Sequence, residues 1–523
     1  MLKKLHKIFP YDIPADEVIR PQINRVNNHE NIKVYTGTKI KGITGYIGNY
    51  EVTISKNTQE EKFKVSTIIV ATGSKEINPH GHYGYGKYGK VITQLELERM
   101  LKEDALAEPK CVVMINCVGA RNEERPYCCR VGCGVSIKNA KYIKKLYPNA
   151  NIYVLYRDMV ILGKEEEYHR LVAEEYGVNF IRYLKDREPQ VYQDQEKLIV
   201  KVYDALLDEE IELEPDLLVL TTATEGNEEV KELSKMLKVP IGIGNFFQEA
   251  HVKIRPLDFA VDGIYLCGAA RSPKTVMDTI HEAIGAAMRA SIPMAQGMVV
   301  SEGIYSTFDE EKCTGCGLCV KICPYSAITL EKIEGKIIAK GIKGVCKGCG
   351  TCVAQCPLNA IDQRHFTTAQ LREMIIAATE GVSIEERKKL PRIIGFLCNW
   401  CGYAGADMAG LGHFSYPTSI RIIRTMCSGR VDGRLVLEAF KHGADGVLIC
   451  GCYPQDCHYI SGATEAQKMA ERTKKMLARH GIDERRLRFE SVSATEGKKF
   501  ADLVSEFTEF IKKIGPQPTT NSH

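Results

Sequence analysis

No run of about 18 consecutive apolar residues occurs in the chain. The nearest, around 284–300, is interrupted by Arg289, Pro293 and Gln296, so no segment is expected to span a membrane. The opening MLKKLHKIFPYDIP carries basic residues but neither an apolar core of signal-peptide length nor a small-residue cleavage site, which points to a cytoplasmic protein. Charge of one sign is lacking too: 70 Lys and Arg stand against 66 Asp and Glu, a net +4, and the two signs are interspersed. Without a basic stripe, nucleic acid is not an expected partner. Trp occurs once, beside 24 Tyr and 15 Phe, in a composition 44% hydrophobic and 26% charged, which excludes a largely disordered chain. Also missing is a Gly-rich strand-turn-helix of the kind that holds the ADP half of a dinucleotide. GYGKYG at 84–89 satisfies the spacing by letters alone; it follows a loop of His, Pro and Gly where a strand is required.

Cysteine is what the chain has in excess: 20 residues, nearly all in closely spaced groups. A disulfide scaffold would be small and secreted, whereas such groups in a long cytoplasmic chain argue for metal or redox centres. With 523 residues the chain is long enough for about three domains. Residues 1–304 alternate β-branched runs with helical patterns: strands are expected near 33, at 67–73, 111–116, 152–156, 216–223 and 263–268, and helices over 165–176 and 275–291. Residues 305–366 become Cys-, Gly- and Lys-rich with two short strands. A polar helical connector is expected over 367–390, a second α/β domain over 391–515, and a disordered tail over 516–523.

Within 305–366, C-x-x-C-x-x-C-x-x-x-C-P occurs twice, matching the two-cluster bacterial ferredoxin pattern. In that pattern the fourth ligand crosses between repeats. Cys313, Cys316, Cys319 and Cys356 are thus expected to hold one 4Fe-4S cluster, and Cys346, Cys349, Cys352 and Cys323 the other. Gly315, Gly317, Gly348 and Gly350 permit the tight backbone that turns N–H groups toward sulfur. A zinc ribbon rarely repeats such an octet. Upstream, CVGARNEERPYCCRVGCG puts Cys117, Cys128, Cys129 and Cys133 between a strand and a helix opening near Val135, where a pyridine-nucleotide reductase would carry its Gly-rich turn. Four thiols there suit a third 4Fe-4S cluster; a redox-active dithiol or structural cysteines are the alternatives. Arg121, Arg125 and Arg130 are read as solvent or helix-end charges.

Toward the C-terminus, Cys398, Cys401, Cys427, Cys450, Cys452 and Cys457 lie at the ends of three expected strands. A 2Fe-2S cluster takes four thiolates; Cys398, Cys427, Cys452 and Cys457 are favoured, with Cys401 the main rival. Cys450, Cys111 and Cys267 end or lie within apolar strands and are read as buried structural thiols, and His442 and His458 as solvent or capping residues. TIIVATGS at 67–74 and VDGIYLCGAARSP at 261–273 resemble strand-end motifs of two-dinucleotide-domain flavoproteins, so an FAD site would draw on Thr72, Gly73, Gly268, Ala269 and Lys274. The Asp usual in the second motif is Ala269 here.

Taken with these motifs, ATGS, YGYGKYGKVITQLELERML, CVGARNEE, FFQEAHVKIRPLDFAVDGIYLCGAARSPK and the ferredoxin octet are similar to the A subunit of heterodisulfide reductase. CNWCGYAGADMAG, RIIRTMCSGRVD and GCYPQDCHY are similar to the delta subunit of the methyl-viologen-reducing hydrogenase. The same fusion is seen in the B subunit of the quinone-interacting membrane-bound oxidoreductase. The resemblance implies a partial, thioredoxin-reductase-like flavoprotein, an α+β ferredoxin module with two 4Fe-4S clusters and a C-terminal α/β iron-sulfur domain, with FAD and electron transfer between partner subunits. Those partners would be heterodisulfide reductase B- or C-like, hydrogenase or quinone-interacting subunits, with membrane contact only through them. The family's N-terminal flavin-binding region has no counterpart in the sequence, so a separate polypeptide carrying it is a further expected partner. The order expected for electrons runs from the C-terminal domain through the loop cluster or flavin to the ferredoxin pair. Rival readings are an NAD(P)H-dependent disulfide reductase with an added ferredoxin and a scaffold whose clusters do not cycle.

Overall fold

The computed structural model describes residues 2–57, 59–163, 165–252, 254–300 and 303–518. The chain forms two compact units, one comprising 1–44, 50–259 and 263–292, the other 45–49, 260–262 and 293–523. Among the described residues no helix is long and apolar enough to cross a membrane.

The first unit is organised by a five-stranded parallel sheet in the order Asn179–Arg182, Asn151–Tyr156, Cys111–Val118, Leu217–Thr222, Val91–Thr93. The period of two in CVVMINCV divides its side chains between two faces. Val112 and Met114 pack with Leu97, Ile137, Ile143 and Val172, from helices Gln94–Lys102, Gly132–Leu146 and Glu165–Glu174. Val113 and Ile115 face Leu198, Val200, Val202 and Leu213 of an antiparallel sheet, Gln190–Asp194, Lys197–Asp204 and Glu209–Leu213. Helix Gln94–Lys102 starts where its sequence says it should, because Thr93 and Glu96 form a reciprocal capping box. A parallel pair, Ile68–Val70 with Ile264–Leu266, carries the two flavoprotein-like motifs. The strand expected near 33 is a loop: Ile32 and Val34 are exposed and no neighbouring strand completes a ladder with them. The sheet of this region instead begins at Lys39–Thr44, paired to Tyr50–Lys56 and Gln59–Val65.

In the second unit, the ferredoxin segment contains hairpin Ile328–Ile333 with Lys336–Gly341, the pair Ser306–Phe308 with Ile361–Gln363, and short helices Leu318–Ile322 and Thr351–Gln355. Gly317 and Gly350 precede these helices at φ of 74° and 75°, a region where a side chain is strained. The C-terminal domain is a four-stranded parallel sheet ordered Ile420–Thr425, Ile393–Cys398, Gly446–Gly451, Leu487–Ser491. Ile394 and Phe396 pack toward helices Gly433–Lys441 and Gly462–Arg479. Ile393 and Leu397 pack on the other face with Ala406, Phe500 and Phe507, from helices Gly402–Leu411 and Gly497–Ile514. The expected connector is two helices, Thr368–Thr379 and Ile384–Lys389, and the first is part of the core, with Leu371 and Ile375 buried beside Phe396. Gln517, expected in a loose tail, is buried: its N–H donates to Asp445 and its carbonyl accepts from Arg387. Residues 519–523 of that tail lie outside the described residues.

Candidate iron-sulfur centres and a flavin-sized cavity

The ferredoxin segment surrounds two small cavities. Cys313, Cys316, Cys319 and Cys356 line one, and Cys323, Cys346, Cys349 and Cys352 the other. Each set mixes three cysteines of one repeat with the last of the other. Backbone N–H groups already point at sulfur: Ala339 to Cys313 at 3.3 Å, Ser306 to Cys346 at 3.4 Å and Ala360 to Cys356 at 3.3 Å. Such donors stabilise negative charge on sulfur. A Cβ at Gly315 would meet the carbonyl oxygen of Ile337 at 2.4 Å, and one at Gly348 that of Ile304 at 2.6 Å, so both loops close only around glycine. Burial pushes the thiols of Cys349 and Cys319 up, to about 12 and about 11. A bare thiolate is disfavoured there, and cationic iron is the kind of ligand that makes it favourable. The donor sets fit cubane clusters.

The C-terminal domain gathers its cysteines at the carboxyl ends of adjacent parallel strands, where α/β folds place ligands. Cys398 Sγ lies 3.8 Å from Cys452 Sγ, and Cys452 is also joined to Cys401 and Cys457. Cys427 accepts the Gly429 N–H at 3.4 Å, and Cys457 the Ala463 N–H at 3.3 Å. The Cys427 thiol is foremost in drawing Cys457 down, to about 3. Five thiols therefore meet: Cys398, Cys427, Cys452 and Cys457, the four favoured from sequence, and their rival Cys401. Cys450 is fully buried on the opposite face of the sheet with Leu448 and Val492, and burial pushes its thiol to about 12. Trp400, the single tryptophan, stacks on His458 with ring centroids 3.7 Å apart beside this site. His442 caps helix Gly433–Lys441 and bonds Glu438.

The ferredoxin and C-terminal centres are neighbours. Tyr325, 5% exposed, lines the same cavity as Cys349, and Cys349, Cys427 and Cys457 all act on it electrostatically. A Cβ at Gly429 would meet Thr351 Oγ1 at 2.6 Å. Chain order interposes only the helix Thr368–Thr379 and its successor between 366 and 391.

In the first unit, Cys117 near the end of the central strand Cys111–Val118, Cys128 and Cys129 in the loop after it and Cys133 in the first turn of helix Gly132–Leu146 interact with one another, so the expected loop is a strand end, a loop and a helix start. Cys117 sits at φ of 67°, and Arg121 and Arg130 at 58° and 57°, unusual for residues with side chains and of the kind held at functional loops. The proton shared with Cys129, then the Arg130 N–H, lower Cys128 to about 6. The arginines are paired: Arg121 with Asp158, Arg125 with Glu124 and Glu225, Arg130 with Asp278. Cys267 is buried and Cys111 half-buried.

A cavity of about 710 Å³ in the same unit is lined by all five residues expected at a flavin site, Thr72, Gly73, Gly268, Ala269 and Lys274. Two hydroxyls in its wall, Thr72 Oγ1 and Thr224 Oγ1, are buried without a partner. Lys7, Arg130, Lys138 and Lys274 line it together with Glu76, Glu98 and Glu165. The volume lies in the usual range of cofactor pockets, and unsatisfied hydroxyls with cations fit a polar, phosphate-bearing aromatic cofactor. Sequence reasoning missed the buried ion pair of Lys138 with Glu98, which lines the same cavity. It also missed the network behind it, in which Gln94 donates to Ser136 and Thr221, and Ser136 to Asn116. These contacts join residues up to 127 positions apart, and no local pattern announces them.

The fold and these centres define a multidomain iron-sulfur protein, and comparison with known proteins gives its family. The chain is 36% identical over 481 residues to the A subunit of the ferredoxin/F420H2-dependent CoB-CoM heterodisulfide reductase of Methanosarcina acetivorans, covering 89% of this chain and 59% of that one. It is 34% identical over 605 residues to the A subunit of the ferredoxin:CoB-CoM heterodisulfide reductase of Methanosarcina mazei, covering 98% and 75%. The chain belongs to the family of heterodisulfide reductase A subunits. Residues 306–329 and 343–366 match 4Fe-4S binding domains, and residues 393–515 the methyl-viologen-reducing hydrogenase delta subunit. Among solved structures, the thioredoxin reductases of T. acidophilum and Lactococcus lactis match at 13% and 16% identity. Each match covers 56% of this chain and 86% of the other, with a TM-score of 0.38.

Proposed function

We propose that the chain is an electron-relay subunit of a heterodisulfide-reductase-like or quinone-interacting oxidoreductase complex. Cys313, Cys316, Cys319 and Cys356 would hold one 4Fe-4S cluster and Cys323, Cys346, Cys349 and Cys352 a second. Cys117, Cys128, Cys129 and Cys133 would hold a third, and four of Cys398, Cys401, Cys427, Cys452 and Cys457 a 2Fe-2S cluster. FAD would occupy the cavity lined by Thr72, Gly73, Gly268, Ala269 and Lys274. Bound clusters supply one-electron transfer, and flavin can exchange one electron or two.

The residues themselves do the remaining work. The N–H groups of Ala339, Ser306 and Ala360 hold negative charge on the sulfurs of Cys313, Cys346 and Cys356. Burial of Cys319, Cys352, Cys398, Cys427 and Cys452 keeps water from them. The observation that carries the reading is the closeness of the ferredoxin and C-terminal thiols, with Gly429, two residues from Cys427, packed so that a Cβ would meet Thr351 Oγ1, next to Cys352, at 2.6 Å; relays need closely spaced carriers and a scaffold does not. Partner subunits resembling those of heterodisulfide reductases or of the hydrogenase would deliver and accept the electrons. The test is stopped-flow reduction of the anaerobically purified chain by dithionite, followed by reoxidation with a one-electron acceptor. A relay bleaches and recovers at all its cluster absorbances over repeated cycles; clusters that never change absorbance would leave only the scaffold.

A further inference from the structure

Among the described residues Arg430 is the largest fully buried side chain, at 0% exposure. Its stem lies directly on the ferredoxin loop: a Cβ on Gly350, between Cys349 and Cys352, would meet Arg430 Cδ at 2.5 Å. One nitrogen, Nη2, donates to Thr368 Oγ1 at 2.8 Å and to the Phe366 carbonyl at 3.2 Å, with Asp362 Oδ1 3.5 Å away. Nε and Nη1 are buried and have no hydrogen-bond partner. An arginine in this setting is costly, since burial disfavours its charge, and truncating it to an apolar residue would relieve that cost. It nonetheless stays protonated, because guanidinium does not deprotonate in proteins. Asp432 of the C-terminal domain and Asp362 and the Cys352 thiol of the ferredoxin segment favour its charge, and Arg434 opposes it.

We propose that Arg430 is a positioning residue of electrostatic kind, contributed by the C-terminal domain, that raises the reduction potential of the cluster held by Cys323, Cys346, Cys349 and Cys352 relative to its twin. The inference rests on the ferredoxin ligand sets of the proposed function. Reduction adds one electron to a cluster, and a fixed positive charge in a low-dielectric setting stabilises that added charge. At the equivalent glycine of the twin's loop, Gly317, a Cβ would meet only Leu330 Cδ1, at 3.6 Å, where Gly350 has the Arg430 stem. Two otherwise equivalent repeats thereby differ, and the cluster nearer the C-terminal centre becomes the better electron acceptor of the two.

The test is an EPR-monitored redox titration of the full chain carrying Arg430→Gln, which retains a donor for Thr368 and Phe366. Arg430→Met, which retains the stem's packing on Gly350, and the charge-keeping Arg430→Lys are titrated alongside. Cys349→Ser identifies which signal belongs to the cluster in question. The expected result is a lower potential for that cluster alone in whichever neutral variant keeps its iron, with most of the shift reversed in the Lys variant. Unchanged potentials, or equal shifts of both clusters, would reduce Arg430 to a structural strut and overturn the inference. Wild-type protein lacking the paired 4Fe-4S signals would instead overturn the proposed function, so the two failures are separable.

Discussion

Gly462 and Cys427 touch so closely that a methyl group at Gly462 would sit 2.2 Å from the Cys427 sulfur. Helix Gly462–Arg479 can start against the thiol only because its first residue has no side chain. Gly462→Ala must displace either the helix or the sulfur, and the expected outcome is loss of about two irons, one 2Fe-2S centre, with the ferredoxin irons retained. Iron and sulfide analysis with EPR checks this; a full complement in the variant would remove Cys427 from the ligand set.

Lys138 and Glu98 form an ion pair with side chains 3% and 1% exposed, and Glu98 also accepts the His6 N–H. Lys138→Met leaves a buried carboxylate without its counter-charge, which costs about 3–5 kcal/mol. Urea denaturation of the first unit's signal should show a midpoint lowered accordingly, and adding Glu98→Leu should restore most of it. A neutral single variant would mean that Glu98 takes up a proton at little cost.

Ala283 lines the 710 Å³ cavity from an exposed position on helix Val276–Gln296. Ala283→Trp fills part of that space without burying a polar group. Flavin released on acid precipitation should fall at least tenfold relative to wild type, a loss of about 1.4 kcal/mol or more in binding. Undiminished flavin would place the cofactor elsewhere.

Stripping iron with a chelator under reducing conditions should lower the melting temperature of the second unit, which would hold three of the four clusters, more than that of the first, which would hold one. Ligands that bind only the folded state add their binding free energy to stability. Calorimetry resolves the two transitions, and identical shifts in both would contradict independent units.

What can be read from sequence is what is local. The octet from Cys313 to Cys356 encodes its own geometry, and so do the buried runs Ile393–Cys398 and Gly446–Gly451, whose residues are all buried. The antiparallel strands escape notice because Gln59–Val65 is mostly exposed and rich in Lys and Glu, so its alternation is faint. Helix Thr368–Thr379 does carry a signal, since Leu371, Ile375 and Thr379 recur every four residues and all are buried, but its polar remainder makes it look like a tether. The fit of Gly462 to Cys427, the Lys138–Glu98 pair and the seat of Arg430 on Gly350 depend on residues distant in sequence. No window of the chain contains both partners.

The central claim is that several redox centres share this one chain. Anaerobic purification followed by iron, acid-labile sulfide and flavin assays, with EPR of the dithionite-reduced sample, tests it most directly. The account predicts about 14 iron atoms per chain, four for each of three cubanes and two for the 2Fe-2S centre, together with flavin. About eight irons with only the coupled signals of the ferredoxin pair would contradict it, leaving the loop and C-terminal cysteines without clusters.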